Sequence, residues 1–101
     1  MVKKLNAKGR LVYDYVLAHE DENITAADIA EATGLEKKSV DGTITMTFQR
    51  NAIKNEDGTK TPIPLMQRVV AEVEEADGTH SKVKLIKLTD EGRAIEIEDA
   101  E

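Results

Sequence analysis

Cysteine is absent from the 101-residue chain. That excludes a disulfide framework, a cysteine-ligated zinc site and thiol catalysis, and it suits a reducing compartment. Aromatic residues are nearly absent too: Tyr13, Tyr15 and Phe48 are the whole supply, so the interior has to be built from Val, Ile, Leu and Met. No apolar run approaches the roughly 20 residues of a membrane-crossing helix. The opening Met1-Val2-Lys3-Lys4 leads into polar sequence and not into a signal-peptide core. The expectation is a cytoplasmic protein with no membrane partner. What is present is globular in character: 40% hydrophobic and 34% charged residues, in a length that suits one domain covering residues 1–101.

The formal net charge of −6 is the wrong sign for a binder of phosphates, which usually carries a basic patch. Its distribution changes that. Glu20-Asp21-Glu22 carries −3 and the stretch from Asp90 to Glu101 carries −5, leaving the rest of the chain at +2. A local basic face is therefore compatible with the composition.

Helical periodicity first appears over Lys8–His19, where Leu11, Tyr15 and Ala18 share a face with Val12 and Val16 beside it, and Asn6 is placed to cap. A second helix starts at Thr25, with Asp28 three residues on as in a capping box, and stops at about Thr33 because Gly34 follows as a left-handed terminator. Residues 36–53 carry two signals. Thr43-Ile44-Thr45-Met46-Thr47-Phe48 alternates like a strand after Asp41-Gly42, whereas Val40, Ile44 and Thr47-Phe48 mark one helical face and Asn51 suits a helix C-cap. Spacing decides for the helix. Ala30, Gly34 and Val40 supply a small residue where two helices cross, a sharp turn, and a branched residue closing the corner, with Ile29, Leu35 and Ile44 as the remaining core.

Lys54–Pro64 holds Asn55, Asp57-Gly58, Pro62 and Pro64 and reads as a loop. Leu65–Glu74, with Leu65, Val69, Ala71 and Val73 on one face, and Lys82–Leu88 read as two antiparallel strands joined by a turn at Asp77-Gly78-Thr79-His80. The apolar phase slips between Leu85 and Ile86, which calls for a bulge or a strand end buried on both faces. Thr89 caps a short last helix, and an acidic tail over 96–101 is expected to fray into solvent. Asp-Gly-Thr recurs at Asp41, Asp57 and Asp77, but its unequal intervals indicate shared turn chemistry and not a repeat.

The stretch Ile24–Ile53 resembles the helix-turn-helix of winged-helix transcriptional regulators, particularly small bacterial and phage ones. The resemblance rests on the corner just described, on Ser39-Val40-Asp41-Gly42-Thr43-Ile44 and on Gln49-Arg50-Asn51-Ala52-Ile53. Leu85-Ile86-Lys87-Leu88-Thr89-Asp90-Glu91-Gly92-Arg93 is similar to the Leu-Thr-x-x-Gly-Arg that ends the wing in MarR-like proteins. The sequence departs from the pattern at Asn51, where Gly is common, and in the length of the 54–64 segment. The resemblance implies an α+β winged helix-turn-helix: a three-helix core, with the helix-turn-helix at about 25–53, a two-stranded wing at about 65–88 and a short C-terminal helix.

It also implies sequence-specific binding of duplex DNA by a small transcriptional regulator, with residues 36–50 in the major groove. Steps of 100° along a helix over 36–50 turn Val40, Ile44 and Thr47 inward and leave Lys38, Gly42, Thr45 and Gln49 outward. Lys37, Lys38 and Ser39 open that helix beside phosphates, Thr45 and Gln49 suit base edges, and Gly42 permits close approach. Thr25 offers free amides to a phosphate, and Thr79, His80 and Lys82 lie at the hairpin tip. Each has a plainer reading, since lysines at a helix start and glutamine on a helix face are ordinarily just solvated. If the chain pairs as a homodimer, terminal helices are the surfaces such families use. The other class of function is a winged-helix module whose acidic surface binds a protein of the transcription or replication machinery. No nucleophile elbow, phosphate loop or metal-ligand spacing is present, so neither an enzyme nor a metal or cofactor site is expected.

Overall fold

The computed structural model describes residues 2–99 as an α+β arrangement of four helices and small hairpins. The chain begins with a short strand, β1 (Val2–Leu5), which the sequence had not signalled. Helix α1 (Ala7–Ala18) follows, capped by the Asn6 side chain accepting from Gly9 N. Its buried face is Val12, Tyr13 and Val16, one step round from the expected one, and Leu11 is left exposed.

Helix α2 (Ala26–Thr33) opens with the anticipated capping box. Thr25 Oγ1 accepts from Asp28 N, and the Asp28 carboxylate accepts from Thr25 N. It closes at Gly34, whose φ of 77° is the left-handed conformation that only glycine takes at little cost. Helix α3 (Lys37–Thr43) then runs without interruption into a π-helical stretch, Ile44–Gln49, capped by Arg50 and not by Asn51. The strand alternative for the threonine-rich segment is thereby excluded.

The π turn corrects the expected facing of this helix. A wider turn advances by a smaller angle per residue, which brings Phe48 back beneath Ile44 and swings Thr47 aside. Val40, Ile44 and Phe48 are accordingly fully buried, and Phe48 stacks on Tyr13 with ring centroids 6.1 Å apart. On the outer side Met46 is 63% exposed, while Thr45 is half-buried.

The segment read as a loop is partly a hairpin: β2 (Ala52–Lys54) pairs antiparallel with β3 (Lys60–Pro62) around the Asp57-Gly58 turn. Asn51, at its base, is buried and uses both ends of its amide. Oδ1 accepts from Lys3 Nζ at 2.9 Å and Nδ2 donates to Ile63 O at 2.9 Å. The main hairpin joins β4 (Met66–Glu74) to β5 (His80–Leu88) in unbroken register, from Met66 opposite Leu88 to Glu74 opposite His80. There is no bulge. Leu85 and Ile86 are both buried instead, the second of the two outcomes the phase slip allowed. Met66, Ile86 and Leu88 reach into the core, where the Ile86 amide also donates to Ile24 O at 2.8 Å. Beyond them the hairpin projects, and the molecule measures 55 × 27 × 23 Å. Val69 and Val73, read as part of one apolar face of the strand, are solvent-exposed there.

Helix α4 (Asp90–Ala94) is capped by Thr89 Oγ1 accepting from Gly92 N. The acidic stretch after it does not fray as expected. Glu96–Asp99 forms β6, paired parallel with β1 so that Val2 lies opposite Glu96 and Leu5 opposite Asp99. The remaining tail residues, 100 and 101, lie outside those described.

Candidate nucleic-acid interface

Three elements converge on one groove. The start of α2 contributes Thr25, α3 contributes Lys37 and Asp41, and one face of the β4–β5 hairpin contributes Arg68, Lys82 and Lys84, around a hollow of about 350 Å³. Side chains alternate across a strand, so Lys82 and Lys84 fall on one side of β5, the side that Arg68 shares through its pairing with Ile86. Four cations against Asp41 give the groove a positive balance inside a protein of net charge −6. A second hollow, of about 510 Å³, is lined by Glu22, Asp28 and Glu31 and has the opposite sign.

Arg68 ties the hairpin to the helix. Its Nη2 donates to Asp41 O at 3.2 Å and lies 3.4 Å from Asp41 Oδ1, and its Nη1 donates to Gln49 Oε1. A guanidinium has only donors, so Gln49 must turn its oxygen inward and present its NH₂ group as a donor. On the other side Lys37 Nζ donates to Asp41 Oδ2 at 2.9 Å. That bond, ahead of the Arg68 contacts, holds the Asp41 carboxyl below the usual carboxylate range. Asp41 is thus an ionised bridge between the two walls of the groove.

The structure sorts the anticipated contact residues into groups. Thr25, Lys37 and Lys82 line the groove together, although the hydroxyl and backbone amide of Thr25 are spent in the capping box. Lys38, Gly42 and Gln49 are exposed on the outer side of α3 and its π extension, and Thr45 is half-buried between them. Ser39 turns elsewhere, accepting from Lys8 Nζ of α1 at 3.2 Å. Thr79 sits at the far end of the hairpin with its hydroxyl given to Asp77, and His80 Nδ1 lies 3.1 Å from Glu72 Oε1. Arg68, Lys84 and Met46 are absent from the sequence-derived set. The register set by the Asp77-Gly78 turn holds the signal for the first two, since counting back from it places them on the face of Lys82. Met46, two steps of 100° from Ile44, falls on the outward side of a regular helix as well, so helical spacing held its signal.

No group of three or more His, Asp or Glu side chains suited to a metal ion occurs among the described residues. Comparison of the chain with protein-family models, with curated proteins and with solved structures returned no match.

Proposed function

We propose that this protein is a winged helix-turn-helix module that binds duplex DNA and acts as a small transcriptional regulator. Helix α3 with its π extension is the recognition helix and β4–β5 the wing. The observation that carries this reading is the basic groove between them: Lys37, Arg68, Lys82 and Lys84 are gathered from two separate elements against an acidic overall background. Phosphates would bind its cations, and the exposed side of α3, with Lys38, Gly42, Met46 and Gln49, would face base edges in the major groove. Promoter occupancy would block transcription sterically.

Anisotropy titration of a mixed-sequence duplex at 50 and 200 mM salt tests this. Each phosphate contacted contributes about −0.9 to the slope of log K against log salt, so three or four groove cations give a slope of about −3. Lys37→Glu/Lys38→Glu should abolish binding. Binding that ignores both salt and the charge reversal rules the reading out.

A second reading is favoured by the exposed valines of β4, Val69 and Val73 on the opposite face of the hairpin and Val70 on the face of Lys84. In that reading the wing carries an apolar contact for a protein of the transcription or replication machinery, and no salt-dependent DNA binding is seen.

A further inference from the structure

The groove already holds an anion of its own. Asp41 Oδ2 accepts from Lys37 at 2.9 Å and Asp41 Oδ1 faces Arg68 at 3.4 Å, so cations from the helix and from the wing stem converge on one carboxylate. Two oxygens held between a lysine and an arginine on facing elements reproduce the way a protein grips a backbone phosphate. We infer that Asp41 is a built-in stand-in for a DNA phosphate, one that orders the groove in the free protein and is displaced when a duplex enters, lowering affinity for any DNA that offers backbone contacts alone. The inference rests on the DNA-binding reading and adds a regulatory element to the same site.

Three observations support displacement over a fixed structural bridge. On the Lys37 arm the side chains are 63% and 38% exposed, and an ion pair so hydrated is weak and exchanges readily for another anion, whereas Arg68 on the other arm is 18% exposed. Arg68 does not depend on the Asp41 carboxylate for its position, because it also donates to the Asp41 carbonyl and to Gln49. Asp41 lies on the surface of α3 beside Val40, the residue that anchors the helix in the core, so the helix keeps its place without the carboxylate.

The consequence is opposite in sign to that of a structural role. Asp41→Asn removes the competing charge, and should raise affinity for a labelled mixed-sequence duplex about fivefold, the effect of one unit charge some 4 Å from a phosphate in water. Asp41→Ser, of different shape and equal charge, should behave alike. Glu31→Gln changes net charge equally but lies at the acidic hollow, and should leave affinity nearly unchanged. In the double-mutant cycle, Lys37→Gln should cost more affinity in the Asp41→Asn background than in the wild type.

Unchanged or weaker binding by both Asp41 variants, each still folded at the assay temperature, overturns the inference. An equal gain from Glu31→Gln also overturns it, by reducing the effect to net charge. Absence of salt-dependent binding by the wild type and by every variant overturns the DNA-binding reading itself, and is recognisable as that separate failure.

Discussion

Gly92 shows how a motif residue acquires a physical reason. A Cβ added there would stand 2.0 Å from Leu65 O, and the Gly92 carbonyl accepts from the Tyr13 hydroxyl at 2.8 Å. Glycine is needed at this point for close approach of two backbone segments. Gly92→Ala should therefore cost about 3 kcal/mol, the upper range for forced overpacking, measured by urea unfolding. An unchanged midpoint would contradict the packing described. Asp57 and Asp77 illustrate turn chemistry that was legible locally: each accepts from the hydroxyl and then the amide of the Thr two residues on, and each carboxyl is held below the usual range for that reason. A lowered pKa means a stabilising contribution present above the unfolded-chain value of about 3.9 and lost as pH falls through the lower folded value. Carboxyl titration by NMR should find both below that value, and Asp57→Asn/Asp77→Asn should lose less stability than wild type on acidification from pH 5. A larger acid loss in the variant would reverse the sign of this argument.

At the scale of elements, what the sequence revealed was whatever is decided within a few residues. The Thr25–Asp28 capping box, the Gly34 terminator, the Asp77-Gly78 turn and the Thr89 cap each join groups two to four positions apart, and each is found where local chemistry puts it. The π stretch and the β1–β6 pair were illegible for different reasons. The first is a matter of packing, since it accompanies the full burial of Phe48 beside Ile44. The second joins residues from opposite ends of the chain, and each partner is short, charged and without a strand pattern of its own. Removing residues 96–101 should leave β1 unpaired. The β1 amides should then lose hydrogen-exchange protection while the α2 and α3 amides keep theirs. Continued protection of β1 would show that β6 contributes nothing to it.

Across the whole molecule the same division holds for the candidate site. Thr25, Lys37 and Lys82, which line the groove, were named from the sequence because they sit at a helix cap, a helix start and the expected start of the second hairpin strand. Arg68 was not, because its partners Asp41 and Gln49 are 27 and 19 residues away, and only the folded hairpin brings them together. The net charge hides the arrangement for a related reason: acidic residues dominate one hollow and basic residues the other, and composition averages the two. The proposed function requires that duplex DNA enter the groove between α3 and the β4–β5 hairpin. Its most direct test is an amide chemical-shift map of the ¹⁵N-labelled protein titrated with a mixed-sequence duplex at low salt. Shifts should concentrate at residues 37–50, Arg68, Lys82 and Lys84 and fade as salt rises, with Glu22, Asp28 and Glu31 silent. Shifts centred on that acidic hollow or on Val69 and Val73, or no shifts at all, would contradict it.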